Sequence, residues 1–208
     1  MKNQLRKALA EPLSAALLVG ALIKGLIYVI YYRLFTKNVR VNFPFKAFGS
    51  VSIRGPGSVY IDKNCSVHEN VFRGLNIVTL SEEALVRIGK NSMLGGLSIR
   101  CWGQVMIGEG TMTALSLIQD VIYVSCVNDG GPSVANKLVY SKPIIIGDNV
   151  WLGGNSIILS GSRIGHDSVL SAGATCFNAE FDKYRLISGN PATRGLPIDQ
   201  LLKLKART

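Results

Sequence analysis

IGDNVW, LGGNSI, ILSGSR, IGHDSV and LSAGAT follow one another without a gap from Ile146 to Thr175, and Cys176 opens the next block. The first position of each block is aliphatic: Ile146, Leu152, Ile158, Ile164 and Leu170. The fifth is small or β-branched: Val150, Ser156, Ser162, Ser168 and Ala174. Neither the 3.6-residue period of a helix nor the two-residue period of a strand produces a strict six with a second small column. Looser copies begin upstream at Ile61, Val67, Ile88 and Ile107.

Six is the period of a parallel β-helix, in which each block supplies one short strand and one turn and three blocks close a triangular coil. The spacing therefore predicts an all-β solenoid. Its aliphatic column points inward and stacks on its own copy one coil away, at ~4.8 Å along the axis. The small column fits the corners, and Gly and Asn take the turn conformations that bulkier residues resist. No coil buries its own face alone, so the stack is the unit that folds. Residues 39–189 leave room for roughly six or seven coils of this period, with a long inserted loop over 113–143.

The rest of the composition narrows the class. At 208 residues, 48% hydrophobic and 17% charged, the chain is long enough to bury a core and too apolar for disorder. Its net charge of +10 is uneven. Residues 1–46 hold eight Lys and Arg against one acid, residues 183–208 six against one, and residues 47–182 nine against eleven. A nearly neutral body argues against a nucleic-acid groove and favours an anionic membrane surface or a phosphorylated cofactor at the basic ends. Cys65, Cys101, Cys126 and Cys176 form no CxxC pair, and with two histidines in the chain neither a metal site nor a disulfide framework is expected. They read as reduced cytosolic thiols.

Within residues 1–38, Leu13 to Tyr32 is an apolar run with the single charge Lys24, flanked by Lys2, Arg6, Lys7, Arg33, Lys37 and Arg40. A lysine near the middle of a span costs roughly 2.5–3.5 kcal/mol on insertion scales. Ser14, Ala21, Lys24, Tyr28 and Tyr31 gather on one side of a helix, which suits a helix lying in the headgroup layer with Lys24 and the tyrosine hydroxyls turned outward. A true span and a helix buried in an oligomer are the alternatives.

Residues 50–195 resemble the hexapeptide-repeat acyltransferases, which include the maltose, galactoside, serine and streptogramin acetyltransferases. YSKPIIIGDNVWLGG, Tyr140 to Gly154, is similar to the family's return from its active-site loop. ISGNPA, Ile187 to Ala192, is similar to its exit into a C-terminal helix, expected here within the tail 190–208. The resemblance implies a left-handed β-helix, a homotrimer with parallel axes, and acetyl-coenzyme A in the groove between subunits, with no metal. It assigns the groove wall to Trp151, Gly153 and Gly154, open backbone amides to Ala172 and Gly173, and phosphate contacts to Arg185 and Arg194 beside Asn190.

One part of the pattern is missing. Where the family's loop carries its catalytic histidine, about fifteen residues before Lys142 and Pro143, this chain has Cys126, Val127 and Asn128, and Val139 replaces the supporting carboxylate. Acyl transfer to a hydroxyl needs a base, and asparagine cannot accept a proton. Asp120 and Asp129 are the substitutes within the loop; His68 and His166 are the others, separated by nearly four coils or on the order of 18 Å. The expected function is coenzyme A-dependent O-acylation, of a surface polysaccharide or its lipid-linked precursor, at the cytoplasmic membrane face. The rival is a trimeric scaffold or glycan-binding protein without a base.

Overall fold

A computed structural model of the chain describes residues 11–68, 74–125 and 137–199. A long helix, α1 (Pro12–Phe35), is followed by a parallel β-solenoid of about six turns, consistent with the left-handed β-helix. The first face runs from Val39–Val41 through Ser58–Ile61, Leu85–Ile88, Gln104–Ile107, Ile144–Ile146 and Arg163–Ile164 to Glu180–Phe181, every step parallel. The second runs from Phe45–Ala47 to Arg185–Ser188, and the third from Val51–Arg54 to Thr175–Cys176.

The register explains the six-residue count. Ile146 sits on Ile164, Leu152 on Leu170 and Ile158 on Cys176, one per face and eighteen residues apart. All six are buried to 2% exposure or less. The small column Val150, Ser156, Ser162, Ser168 and Ala174 is buried as fully, where the chain bends between faces. The fourth position of each block, Asn149, Asn155, Gly161, Asp167 and Gly173, has φ between +54° and +77°. Only Gly, Asn and Asp enter this left-handed region at low cost, which is why that column holds no other residue type.

The expected insert is shorter than 113–143. Met112–Gln119 remains in the coil, pairing with Met93–Cys101 below and with Trp151–Leu152 and Ile157–Leu159 above. The count of six fails there because the corner is one residue tighter: Thr113 and Ile118 are five apart, yet they align with Leu152 and Ile158. Leu115 turns that corner at φ 57°, and Gly96 turns the one below it at φ 60°. The true insert is an antiparallel arm, Val121–Ser125 against Lys137–Ser141, with its apex outside the described residues. At its root Asp120, fully buried, accepts the N–H groups of Trp102 (2.6 Å), Gly103 (2.7 Å) and Gln104 (2.8 Å). On the returning side Lys142 donates its N–H to Ser160 Oγ (2.8 Å) and its ammonium to Asn178 Oδ1 (3.1 Å).

The helix seals the first coil. Pro12 starts α1 at a position where no N–H is needed, and Ala21, Gly25 and Tyr32 are buried against Val39–Val41 and Phe45–Ala47. Gly25 lies so close to the Phe45 carbonyl that no side chain fits between them. Tyr28 and Tyr32 hydroxyls accept the N–H groups of Val51 (3.3 Å) and Ile53 (3.0 Å), donors on an edge with no coil beneath it. The orientation expected from sequence is thus corrected: Tyr28 faces the protein, because unpaired strand N–H groups need an acceptor more than a phenol needs water. At the far end Arg194–Pro197 turns back antiparallel on Arg185–Ser188. Of the tail 190–208, in which the sequence predicts a C-terminal helix, Arg194–Pro197 forms this strand, and residues 200–208 lie outside those described.

Two outcomes follow from this packing. Leu152→Ala should lower the free energy of unfolding by about 2–5 kcal/mol, read from denaturant midpoints, because a full stack cannot collapse into the void. Asp120→Ala leaves three buried N–H donors without an acceptor; a loss of about 3 kcal/mol is expected, with faster hydrogen exchange at residues 102–104.

Candidate active-site groove

The third face carries a groove of about 590 Å³ that crosses five successive coils. Its floor is the outward-facing column Ser52, Asn76, Ser98, Leu117 and Ile157, aligned residue on residue. The floor is polar toward α1 and apolar toward the arm. Gly74, Gly96, Leu115 and Asn155 form one wall at the corner between the second and third faces. A side chain at Gly74 would run into the Ser50 backbone, so the glycine keeps the coils close at this wall. Arg54, exposed, stands at the open end, and among the described residues no acidic one lines the groove.

The predicted site residues divide among the three corners. Asp120 belongs to the corner between the third and first faces and is committed to backbone donors at the root of the arm. With both oxygens taken and no exposure, it holds the arm in place and has no free edge to offer an acceptor proton. Asn128 and Asp129 lie outside the described residues. His166, at the corner between the first and second faces, is bonded through Nδ1 to Asp167 Oδ2 at 2.6 Å and packs edge-on against Tyr184. That bond holds the Asp167 carboxyl below its ordinary range. His166 is therefore a half-buried corner, a whole face away from the groove.

His68 is placed differently. It ends Cys65–His68 on the second face and pairs in register with Gly95, the neighbour of Gly96 in the groove wall. Its ring stacks on Phe48 at 4.8 Å between centroids, and Nε2 lies 3.0 Å from Ser66 Oγ. Burial, reinforced by the Lys46 charge, lowers its pKa below the ordinary 6.5, so the imidazole is neutral at pH 7. The ring projects from the second face, around the corner from the groove floor, where a neutral imidazole can still take a proton.

The residues assigned to the cofactor are also spread out. Trp151 is half exposed on the second face, above Met112 and below Val169, around the corner from the groove. A Cβ on Gly153 would meet Leu170 O and Ala172 N at 2.6 and 2.7 Å, so that glycine serves the turn. Gly173 faces open space, a Cβ on Gly154 would make only an ordinary contact with Ala114 O at 3.6 Å, and Gly154 directly precedes Asn155 of the groove wall. The Gly173 amide is not free, as the sequence had suggested, but bonds to Gly154 O at 2.8 Å, because this rung of the corner needs its donor. Ala172 is exposed beside it. Asn190 lies in the last turn at the same corner, where Gly189 O accepts the Thr175 N–H. Arg185 and Arg194 do not converge: they sit at opposite ends of the final hairpin, paired with Pro197 and Ser188 respectively. Arg185 is further engaged by Asp182 at 3.3 Å.

Sequence reasoning missed the groove floor. Its signal was present in the duplicated triplets Ser52–Ile53–Arg54 and Ser98–Ile99–Arg100, in which one residue points inward between two that point out. The cysteines agree with the thiol reading: Cys65, Cys101 and Cys176 are free and buried, and burial raises each thiol pKa, to about 11 for Cys65 and about 12 for Cys176. Cys126 is outside the described residues.

Comparison with known proteins places this architecture. The profile described as Bacterial transferase hexapeptide (six repeats) matches residues 143–178. A Saccharomyces cerevisiae protein, YJL218W, provisionally named an acetyltransferase, is 41% identical over 54 residues, 26% of this chain and 27% of that protein. The match thus spans about a quarter of that relative's length. The polySia-specific acetyltransferase NeuO superposes with a TM-score of 0.58 at 21% identity, covering 76% of this chain and 70% of its own. The polysialic acid O-acetyltransferase OatWY gives 0.58 at 20% identity, over 76% and 73%. A mutant of AntD, an N-acyltransferase from Bacillus cereus in complex with dTDP and coenzyme A, gives 0.58 at 16%, over 80% and 89%. At these identities the solved structures share the fold alone; with the profile, they identify residues 143–178 as hexapeptide repeats carried on a parallel β-helix.

Proposed function

We propose that the protein is an acyl-coenzyme A-dependent O-acyltransferase, with acetyl-coenzyme A as donor, that acts on a sugar hydroxyl of a surface polysaccharide or its lipid-linked precursor. The observation that carries this reading is the two-part groove of the third face. Its apolar end, Leu117 and Ile157, lies next to the arm and suits an acyl-pantetheine; its Ser52, Asn76 and Ser98 end suits a glycan. Acetyltransferases and an N-acyltransferase solved with coenzyme A share the fold, and two of them are named for polysialic acid.

The fit of coenzyme A rests on small residues. Gly154 has room for a ligand, Gly173 is open, and Trp151 offers an exposed indole nearby along the second face. Met93, Met112 and Trp151 form an exposed apolar ladder on that face, aligned by register. Such a stripe supports a homotrimer in which a neighbouring solenoid covers it and closes the groove. Arg185, Asn190 and Arg194 remain candidates for the nucleotide phosphates at the last coil.

In the reaction, coenzyme A supplies the thioester. His68 takes the proton of the acceptor hydroxyl, whose oxygen bonds to the acyl carbon as the C–S bond breaks; the proton leaves with the sulfur as free thiol. The groove positions the hydroxyl, and the arm excludes water. Reduced thiols and the apolar helix support a cytoplasmic, membrane-peripheral location.

Purified protein with acetyl-coenzyme A and candidate glycans should release thiol. His68→Ala should lower the rate by about 10²–10⁴-fold, while His166→Ala leaves it within about twofold. Loss of turnover in Asp129→Ala but not His68→Ala would place the base on the arm. No coenzyme A binding by calorimetry would leave the scaffold reading standing.

The rate should also fall with acid, with its inflection below pH 6.5. Because the folded-state pKa of His68 is the lower one, the unfolded chain takes up the proton first. This residue's contribution to stability is therefore lost as pH falls from about 6.5 through the folded value, and His68→Ala should remove that part of the slope.

A further inference from the structure

The contacts of α1 with the first coil fix which of its sides is free. Gly25, Tyr28 and Tyr32 face the coil, so at 3.6 residues per turn the opposite side presents Val19, Ile23, Leu26, Ile30 and Leu34. All five are exposed, between 43% and 71%, and none is polar. Lys24 and Arg33 stand on the two flanks of this stripe. Residues 11–62, which make up the helix with its N-cap and the first coil and reach into the second, contain six Lys and Arg against two acids, Glu11 and Asp62. The helix is long and apolar enough to cross a membrane, but a crossing helix would have to leave the coil whose N–H groups its tyrosines accept. A second copy docked on the stripe would set one net-basic surface against another.

The groove reaches this end of the molecule. Ser52 and Arg54 line both the third-face groove and the hollow between Tyr28, Tyr31 and the first coil, so the two are continuous. We infer that α1 lies flat on an anionic lipid bilayer through its aliphatic stripe, holding the solenoid upright so that the groove opens toward the headgroups at Arg54. Lys24 and Arg33 meet lipid phosphates from either flank. With the helix about 10 Å thick and coils ~4.8 Å apart, the arm stands roughly 30 Å above the acyl chains. Resting on the acyltransferase reading, this geometry selects as acceptor a glycan anchored in the bilayer and several sugars long, entering the groove from below.

The test uses the full chain with vesicles and needs no substrate. Binding to phosphatidylcholine vesicles containing phosphatidylglycerol is expected to be at least ~10-fold tighter than to phosphatidylcholine alone, and to weaken with salt. Ile23→Asp combined with Ile30→Asp should abolish it without moving the melting temperature, since neither side chain packs on the coil. Neutron reflectivity from a supported bilayer of the same mixture should give a protein layer of roughly 45 Å, from seven rungs and the helix. Equal binding to both vesicles, unchanged binding of the double variant, a markedly thinner layer, or a dimer dispersed by the double variant with no vesicle binding would each overturn the proposal. With a water-soluble glycan the double variant should release thiol at the parent rate. Vesicle binding with no thiol release from any acceptor would overturn the acyltransferase reading and leave the docking intact.

Discussion

Every feature of this protein depends on the parallel register that stacks each coil on the last, eighteen residues apart where the six-residue repeat is unbroken. A single triangular coil has an inward face of three aliphatic side chains and nothing beneath to cover it. Stacked, Ile146 covers Ile164, Leu152 covers Leu170 and Ile158 covers Cys176, while the backbone of each rung pairs with the next. The hydrophobic contacts and the hydrogen bonds run in the same direction, so one register satisfies both. The left-handed fourth position of each block allows the chain to turn from face to face without losing that alignment.

Such a stack is uniform along its axis, and its distinct chemistry arises where uniformity breaks. The tighter corners at Gly96 and Leu115 join the second and third faces into continuous strands and lend the groove its wall. The arm leaves at the opposite edge of the third face, and its departure would expose the Trp102, Gly103 and Gln104 amides if Asp120 did not receive them. Trp102 then packs edge-on against Tyr123, tying the first strand of the arm to the coil below. A carboxylate that looked like a candidate base is thereby the anchor of the segment it belongs to.

A stack also has ends, each with open backbone groups. At the first coil the open donors are met by tyrosine hydroxyls from α1, and at the last by the returning strand Arg194–Pro197. Capping with a helix has a further effect: the face that covers the coil is specified by Gly25, Tyr28 and Tyr32, and the remaining surface is left almost wholly aliphatic. The same residues thus block edge-to-edge association and orient an apolar surface away from the body.

The six-residue period by itself determined the solenoid, its inward and corner columns, and the use of Gly and Asn at its turns, because these are local properties repeated in every block. It also marked the break before Lys142, since an insertion interrupts any count. Tertiary structure alone decided what the break contains and where each side chain ends up. Counting could not tell a corner shortened by one residue from the start of a loop, so Thr113 to Gln119 were read as insert. Nor could it bring His68 beside Gly96 while sending His166 to another corner, because the face a residue occupies depends on the sum of every irregular corner before it. The helix shows the same division: its sequence established an apolar run with a less apolar side, but only the unpaired Val51 and Ile53 amides settled which side turns inward, because a buried donor must find an acceptor.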